Sequence, residues 1–231
     1  MIISHKYKFI FLHAGKAGGA SVGHELWKAI GPDAEHYVPY RHSNAKDSRT
    51  YVGDEIWNEY FKFSTARNPF IRTVSWYNHA IKNYRKAISK LVDKVEIGKI
   101  EKEIEYLGDI SNFGKMIKLW LTEGYRKKAF NRIDKFYIFQ DQVDWFNDGN
   151  GINLDLIMKL ETIESEWGVL CNRIGIPYPY RDTSKRWGLP HINIGVKGDS
   201  QLTYRKYYTP ELINLIKEIH KRDLEYFNYT F

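Results

Sequence analysis

The sequence holds one cysteine among 231 residues and no apolar stretch long enough to cross a membrane. A single cysteine excludes an intramolecular disulfide framework and favours a reducing compartment. Apolar residues flank Cys171, so we expect it in the core without a catalytic role. Lys6 and Lys8 interrupt the apolar residues of the N-terminus, so we expect neither a signal peptide nor a membrane anchor there. We therefore expect a soluble, cytoplasmic protein.

Acidic residues are also fewer than basic ones, with 28 acidic against 35 basic residues and a net charge of +7. This excess suits an anionic ligand, an acidic glycan, nucleic acid or a membrane surface, and charge alone does not choose among them. No nucleic-acid motif stands out, so we expect no nucleic-acid partner. The length fits one α/β domain over residues 1–231.

The stretch Phe9–Ser21 joins an apolar run to a glycine-rich turn that carries Lys16. The run Lys8–Leu12 predicts a short strand buried on both faces of a parallel sheet. Glycines let the following turn adopt positive φ and approach a ligand, and Ser21 opens an amphipathic helix that reaches Ile30. Unpaired N–H groups at a helix start attract anions, so this stretch predicts a phosphate-binding strand, loop and helix.

Two further strands are predicted to end at the same edge of the sheet. The first, His36–Tyr40, leads into the polar segment Arg41–Asn44, which places His42 where open parallel sheets bind ligands. The second, Phe61–Ala66, is followed by Arg67–Tyr77, in which an Asn-Pro pair has the signature of a helix start.

Helical spacing divides the segment after that Asn-Pro pair into two faces. Phe70, Val74 and Tyr77 share an apolar stripe, while Arg72 and Ser75 fall opposite it. The apolar stripe is expected to pack and the polar one to meet phosphate.

The rest of the chain alternates helical and strand-like patterns. We predict a short helix over 54–60, charged helices within 82–105, an apolar helix over 113–121, strands over 135–140 and 154–160, a helix over 166–174, and a helix from Thr209-Pro210 to Tyr226.

These motifs resemble those of the sulfotransferases that use 3′-phosphoadenosine 5′-phosphosulfate (PAPS), most closely the carbohydrate type related to the Golgi enzymes. Lys16 precedes the paired glycines, as in the 5′-phosphosulfate loop, and Arg67–Tyr77 carries every fixed position of the 3′-phosphate motif R-N-P-x-x-R-x-x-S-x-Y. Residues 189–195 resemble the nucleotide-closing segment L-P-H-x-N-x-S. The chain departs from the family pattern at Ala14-Gly15, Ala20 and Gly195, and Ala20 and Gly195 each replace a usual hydroxyl residue.

The resemblance implies an α/β fold with a P-loop-like central parallel sheet, and transfer of a sulfuryl group from PAPS to a hydroxyl, on a small molecule or a glycan. Lys16 would stabilise the leaving group and His42 would act as base. Lysine and backbone donors suffice for a sulfuryl group, which is less charged than a phosphoryl group, so no metal is expected. The residues implied in PAPS binding are Gly15, Lys16, Ala17, Gly18, Gly19, Ala20, Ser21, Arg67, Ser75 and Asn193.

The identity of the base and the function class have alternatives. His13, His79 and His191 are the other candidate histidines, and Asp54 or Glu55 would be a carboxylate base. A P-loop kinase is one alternative function. In the kinase motif, however, the lysine follows the last glycine and precedes Ser or Thr, whereas Lys16 precedes the paired glycines. A non-catalytic module that binds nucleotide or nucleic acid is the other rival.

Overall fold

The computed structural model describes residues 1–88, 101–102, 105, 109–123, 139–177 and 203–231. These residues form two compact units. The sheet unit consists of residues 1–68 and 141–177 of the described chain. The helical unit consists of 69–140 and 203–231, again within the described residues. Each unit has its own core.

A five-stranded mixed sheet with helices on both faces gives the sheet unit an α/β architecture. Its strands are β1 (Ile2–Ser4), β2 (Phe9–Leu12), β3 (Glu35–His36), β4 (Phe61–Ala66) and β5 (Leu156–Lys159), in the spatial order β3-β1-β2-β4-β5. The pairs β2–β4 and β4–β5 are parallel, while β1 runs antiparallel to both β2 and β3. The predicted parallel sheet is therefore wrong for β1, which forms a hairpin with β2.

The predicted strand His36–Tyr40 is also corrected, because β3 ends at His36. Tyr37 adopts a φ of 65°, which no extended strand can contain, and Pro39 has no N–H to donate. Since β3 and β2 are both antiparallel to β1, they point the same way. The segment after β3 therefore lies at the edge where β2 and β4 end, as expected for His42.

The helices of the described chain divide between the two units. They are α1 (Gly19–Ile30), α2 (Ala45–Glu59), α3 (Pro69–Ile88), α4 (Phe113–Glu123), α5 (Gln142–Trp145), α6 (Ile163–Ile174), α7 (Pro210–Ile219) and α8 (Lys221–Tyr226). Helices α1, α2, α5 and α6 belong to the sheet unit, and α3, α4, α7 and α8 to the helical unit.

Alternating side chains of β2 build the core on both faces of the sheet, as the period of a strand requires. Phe9 and Phe11 pack with Leu26 of α1 and Leu170 of α6. The intervening Ile10 and Leu12 pack with Ala45 and Trp57 of α2 on the opposite face. Packing on both faces of the sheet fixes β2 and therefore also the loop that joins β2 to α1.

The helical unit packs α3 against α4 and α7. Phe70, Val74 and Tyr77 are buried in this cluster, which confirms the predicted apolar stripe of α3. Thr209 caps α7 by accepting a hydrogen bond from Leu212 N at 3.3 Å. The predicted helix to Tyr226 is interrupted at His220, where α7 ends and α8 begins.

Two other predictions, a buried Cys171 and a strand over 135–140, can be compared with the structure. Cys171 is fully buried, and burial raises the pKa of its thiol to about 12, which fits a core residue. Of the predicted strand over 135–140, residues 135–138 lie outside the described residues, and Phe139 and Gln140 form a turn and a bend. Within the described chain, no helix combines the length and apolarity needed to span a membrane.

Candidate active site

The loop from His13 to Gly18 turns the chain from β2 into α1. Lys16 has a φ of 64° and Gly18 a φ of 85°, so both lie in the left-handed region. Helix α1 begins at Gly19, with Gly18 as its N-cap, rather than at Ser21 as predicted. Ser21 and Val22 donate their N–H groups to the carbonyl of Gly18, at 3.0 and 3.3 Å. The loop therefore delivers the chain directly into a regular first turn.

The first turn of α1 is open to an anion. Its residues include no acidic side chain, and no side chain of the described chain caps it. The N–H groups at a helix start carry a partial positive charge, and here nothing acidic in that turn neutralises it. Ala20 and Ser21 are half-buried, while Gly15 and Ala17 are buried.

Packing favours glycine at both position 18 and position 19, and the positive φ of Gly18 favours it there as well. A Cβ on Gly18 would overlap the side chain of Leu160, which follows β5. A Cβ on Gly19 would overlap the ring of His13. The paired glycines thus let α1 start in close contact with the end of β5 and with His13.

Two cationic residues meet at this edge of the sheet. Arg67, directly after β4, donates from Nη1 to the carbonyl oxygen of Lys16 at 3.4 Å. Both residues are half-buried. The structure therefore brings together Lys16 and Arg67, which come from two different motifs and are 51 positions apart in the sequence.

A glutamine that the sequence analysis missed holds the backbone of Arg67. Gln142 of α5 is fully buried, and its Oε1 accepts from Arg67 N at 2.9 Å while its Nε2 donates to Arg67 O at 2.8 Å. Beside it, Glu161 Oε1 accepts from Asn68 N at 2.8 Å. These contacts span 75 and 93 residues, so no local spacing in the sequence could have revealed them.

His42 lies beside the start of the loop. The turn that carries it is fixed because Ser43 Oγ donates to the carbonyl of Tyr40 and Asn44 caps α2 through Asp47 N. His42 Nδ1 lies 3.0 Å from the carbonyl oxygen of His13. A carbonyl can only accept, so Nδ1 carries the hydrogen and Nε2 is left with the lone pair.

Burial is the main cause of a lowered pKa at His42, helped by the positive charges of Arg41, the N-terminus and Lys16 and opposed by the hydrogen bond to His13. A lowered pKa keeps the ring neutral at pH 7. His42 therefore combines a neutral ring with an Nε2 lone pair, which is what a general base requires.

His13 is nearly inaccessible, with 4% of its surface exposed. Its pKa lies well below the ordinary histidine value, first because of burial and then because of the charges at His42, Arg41, the N-terminus and Lys16. Burial therefore outweighs the neighbouring charge of Lys16 as the cause of this lowered pKa.

The remaining candidate bases are placed less favourably. Asp54 and Glu55 are exposed on α2, where Asp54 accepts a hydrogen bond from Arg49 at 2.6 Å. His79 is half-buried on α3 in the helical unit, with its ring against Trp76. His191 and the nucleotide-binding candidate Asn193 lie outside the described residues.

Arg72 and Ser75, the polar fixed positions of the 3′-phosphate motif beyond Asn68, lie on α3 in the helical unit. Ser75 is half-buried. Arg72 is only 3% exposed and donates from Nη1 to the carbonyl of Gln140 at 2.9 Å. Arg72 is thus engaged in holding its own unit together, whereas Arg67 reaches the loop of Lys16.

Comparison with known proteins gives one match. A family model described as "Sulfotransferase family" matches residues 1–230. No curated protein and no solved structure matches the sequence significantly.

Proposed function

The chain belongs to the sulfotransferase family, and from that membership we propose that it transfers a sulfuryl group from PAPS to a hydroxyl of a carbohydrate acceptor. PAPS would supply the sulfuryl group and leave as adenosine 3′,5′-bisphosphate. The observation that supports this proposal most is the uncapped first turn of α1, beside which Lys16 and Arg67 lie in contact.

The loop and first turn of α1, Gly15–Ser21, are proposed to hold the 5′-phosphosulfate. Its donors would be the N–H groups at the start of α1 that precede Ser21, whose own N–H donates to the carbonyl of Gly18, together with the Ser21 hydroxyl. Because Ala20 stands where relatives often have Thr, this chain would rely on backbone donors at that position. The chemistry of the donors fits a phosphosulfate, since all of them are neutral N–H or O–H groups or cations.

Lys16 is proposed to neutralise charge that builds on the leaving oxygen as the S–O bond breaks. Arg67 and Ser75 are proposed to recognise the 3′-phosphate, as their positions in the family motif imply, and Asn193 is proposed to contact the nucleotide. A guanidinium suits this role because its N–H groups form charge-assisted hydrogen bonds to phosphate.

His42 is proposed to remove the proton of the acceptor hydroxyl. A sugar hydroxyl is a poor nucleophile at neutral pH, so a positioned base contributes roughly 10² to 10⁴ in rate. The Nδ1–H of His42 is engaged by the carbonyl of His13, so Nε2 is the atom that would accept the proton.

Release of adenosine 3′,5′-bisphosphate from PAPS tests the proposal when a panel of sugars, flavonoids and tyrosine peptides is supplied as acceptors. We expect release to depend on the acceptor, to need no divalent cation, and to be strongest with a sugar. Acceptor-dependent release with a phenol alone would keep the sulfotransferase but contradict the carbohydrate. Release that requires Mg²⁺ would contradict the metal-free chemistry.

A further inference from the structure

His13 is a buried histidine to which the proposed reaction assigns no role. Its Nδ1 is inaccessible to solvent and has no hydrogen-bond partner among the described residues. Leaving a buried polar atom unpaired costs about 1 to 3 kcal/mol. An apolar residue of similar size would avoid that cost, so stability does not explain a histidine here.

The ring of His13 lies between the start of α1 and the ring of His42. The centroids of the two imidazoles are 4.5 Å apart and their planes meet at 65°. On the other side, the ring is so close to Gly19 that a Cβ there would overlap it. The rings of Phe11 and Tyr37 complete its surroundings, with centroids at 6.2 and 6.4 Å.

His13 also contacts His42 through its main chain. Its carbonyl oxygen accepts the Nδ1–H of His42 at 3.0 Å. One residue therefore supplies both the packing surface and the hydrogen-bond acceptor of the His42 ring. The two contacts act together, because the ring contact limits rotation of His42 and the carbonyl selects its tautomer.

We infer that His13 is a positioning residue that holds His42 in one ring orientation and in the Nδ1–H tautomer, with Nε2 available to accept a proton. The inference rests on the proposed function only in taking His42 as the base. It also links the phosphosulfate loop to the base, since the same His13 ring packs on the first turn of α1.

The charges around the two rings determine what loss of the His13 side chain would do. The groups whose charges act on His42 are Arg41, the N-terminus and Lys16, and burial lowers the pKa of the N-terminus itself to about 5. At pH 7 the N-terminus is therefore mainly neutral, and Arg41 and Lys16 remain. Removing the His13 ring would admit water to His42, weaken the effect of burial and move the pKa of His42 upward toward its ordinary value.

Nitrogen NMR of the protein labelled with ¹⁵N-histidine, without any ligand, tests the inference. The signals of His42 are assigned with H42A. We expect the Nδ1–H tautomer in the wild type and in H13F, which keeps an aromatic ring at the site. H13A keeps the carbonyl but frees the His42 ring to rotate away from it, so we expect mixed tautomers and a raised pKa at His42, while the surface control H24A leaves both unchanged. An unchanged His42 in H13A would overturn the inference.

Gly19→Ala offers a second route if H13A fails to fold, because it displaces the same ring while keeping His13. We expect a disturbed tautomer at His42 in that variant as well, and an undisturbed one would overturn the inference.

Measurements of kcat distinguish a positioning role of His13 from direct participation in catalysis. For H13A we expect kcat to fall roughly 10- to 100-fold, as for a misplaced catalytic group, with unchanged affinity for adenosine 3′,5′-bisphosphate and an acidic limb at higher pH. H13F should retain most of the activity. If H13F is as inactive as H13A, a nitrogen of His13 takes part directly and the inference is wrong. If H42A is fully active, the proposed base is wrong, whereas the NMR result still decides the link between the two histidines.

Discussion

Lys16 combines a strained backbone with a half-buried side chain beside the uncapped start of α1. If it stabilises the leaving group, its contribution appears mainly in the transition state. We expect Lys16→Ala to lower kcat by roughly 10² to 10³, with a smaller effect on PAPS affinity. Single-turnover kinetics would measure both quantities. Lys217→Ala, exposed on α7 in the helical unit, is the control and should behave as wild type. An unchanged kcat in Lys16→Ala would remove Lys16 from the mechanism.

Arg67 and Arg72 belong to the same motif but lie in different surroundings. Arg67 reaches the loop of Lys16, whereas Arg72 is almost fully buried and donates to Gln140 O. A charge-assisted hydrogen bond is worth about 1.5 to 3 kcal/mol. We therefore expect Arg67→Ala to erase most of the preference for adenosine 3′,5′-bisphosphate over 5′-AMP, as measured by calorimetry.

Arg72→Ala should instead lower the melting temperature while the folded fraction keeps that preference. If the two results are exchanged, Arg72 recognises the 3′-phosphate and Arg67 has a structural role.

His42 sets an expectation for pH dependence. Its active form as a base is the neutral ring, and its pKa is lowered, chiefly by burial. Activity should therefore persist at pH 6.5, where an ordinary histidine would be half protonated, and should fall only as the pH drops through the lowered pKa. His42→Ala should bind adenosine 3′,5′-bisphosphate normally, lose most turnover and lose this acidic limb. Full activity in that variant would transfer the role to another group.

At the scale of elements, α5 holds the end of β4 through one side chain. Gln142 pairs with both the N–H and the carbonyl of Arg67. Gln142→Ala leaves both groups unpaired, so we expect the free energy of unfolding to fall by about 1 to 3 kcal/mol, together with weaker discrimination of the 3′-phosphate. Urea denaturation and calorimetry would measure the two effects.

Gln142→Glu is the matched variant, because Glu keeps an acceptor for Arg67 N but has no donor for Arg67 O. It should fall between the wild type and Gln142→Ala. Wild-type behaviour of Gln142→Ala would show that Arg67 does not depend on its two hydrogen bonds to Gln142.

The elements with strong local signals were predictable from the sequence. Periodicity and capping residues indicated β2, β4, the start of α3 at Pro69 and the cap at Thr209. The hairpin strand β1 was not predicted, because three residues carry too little periodic signal. Helix α2 was predicted only over 54–60, since Gly53, with a φ of 82° and a ψ of 160°, interrupts its helical geometry and obscures the pattern.

The residues of the candidate site also fall into those that the sequence could predict and those that it could not. Lys16, His42 and Arg67 were predictable because each stands in a short motif at the end of a predicted strand. The partners that hold Arg67, Asn68 and His42 were not predictable, since Gln142, Glu161 and the His13 carbonyl act across 75, 93 and 29 residues of sequence, respectively. Gly19 was expected to serve the ligand, yet its lack of a side chain also makes room for His13.

At the scale of the whole molecule, one family match covers residues 1–230 and so includes both compact units. Lys16 and Arg67 belong to the sheet unit, where the ends of β2 and β4 bring them together. The central claim is that this arrangement serves a nucleotide with a 3′-phosphate rather than a nucleoside triphosphate.

Thermal unfolding with three nucleotides tests that claim most directly. A ligand at about 100 times its Kd stabilises the folded state by about 2.7 kcal/mol, so saturating adenosine 3′,5′-bisphosphate should raise Tm clearly. 5′-AMP, which lacks the 3′-phosphate, should raise Tm much less, and ATP with Mg²⁺ should not match adenosine 3′,5′-bisphosphate. Stabilisation by ATP with Mg²⁺ without stabilisation by adenosine 3′,5′-bisphosphate would contradict the account.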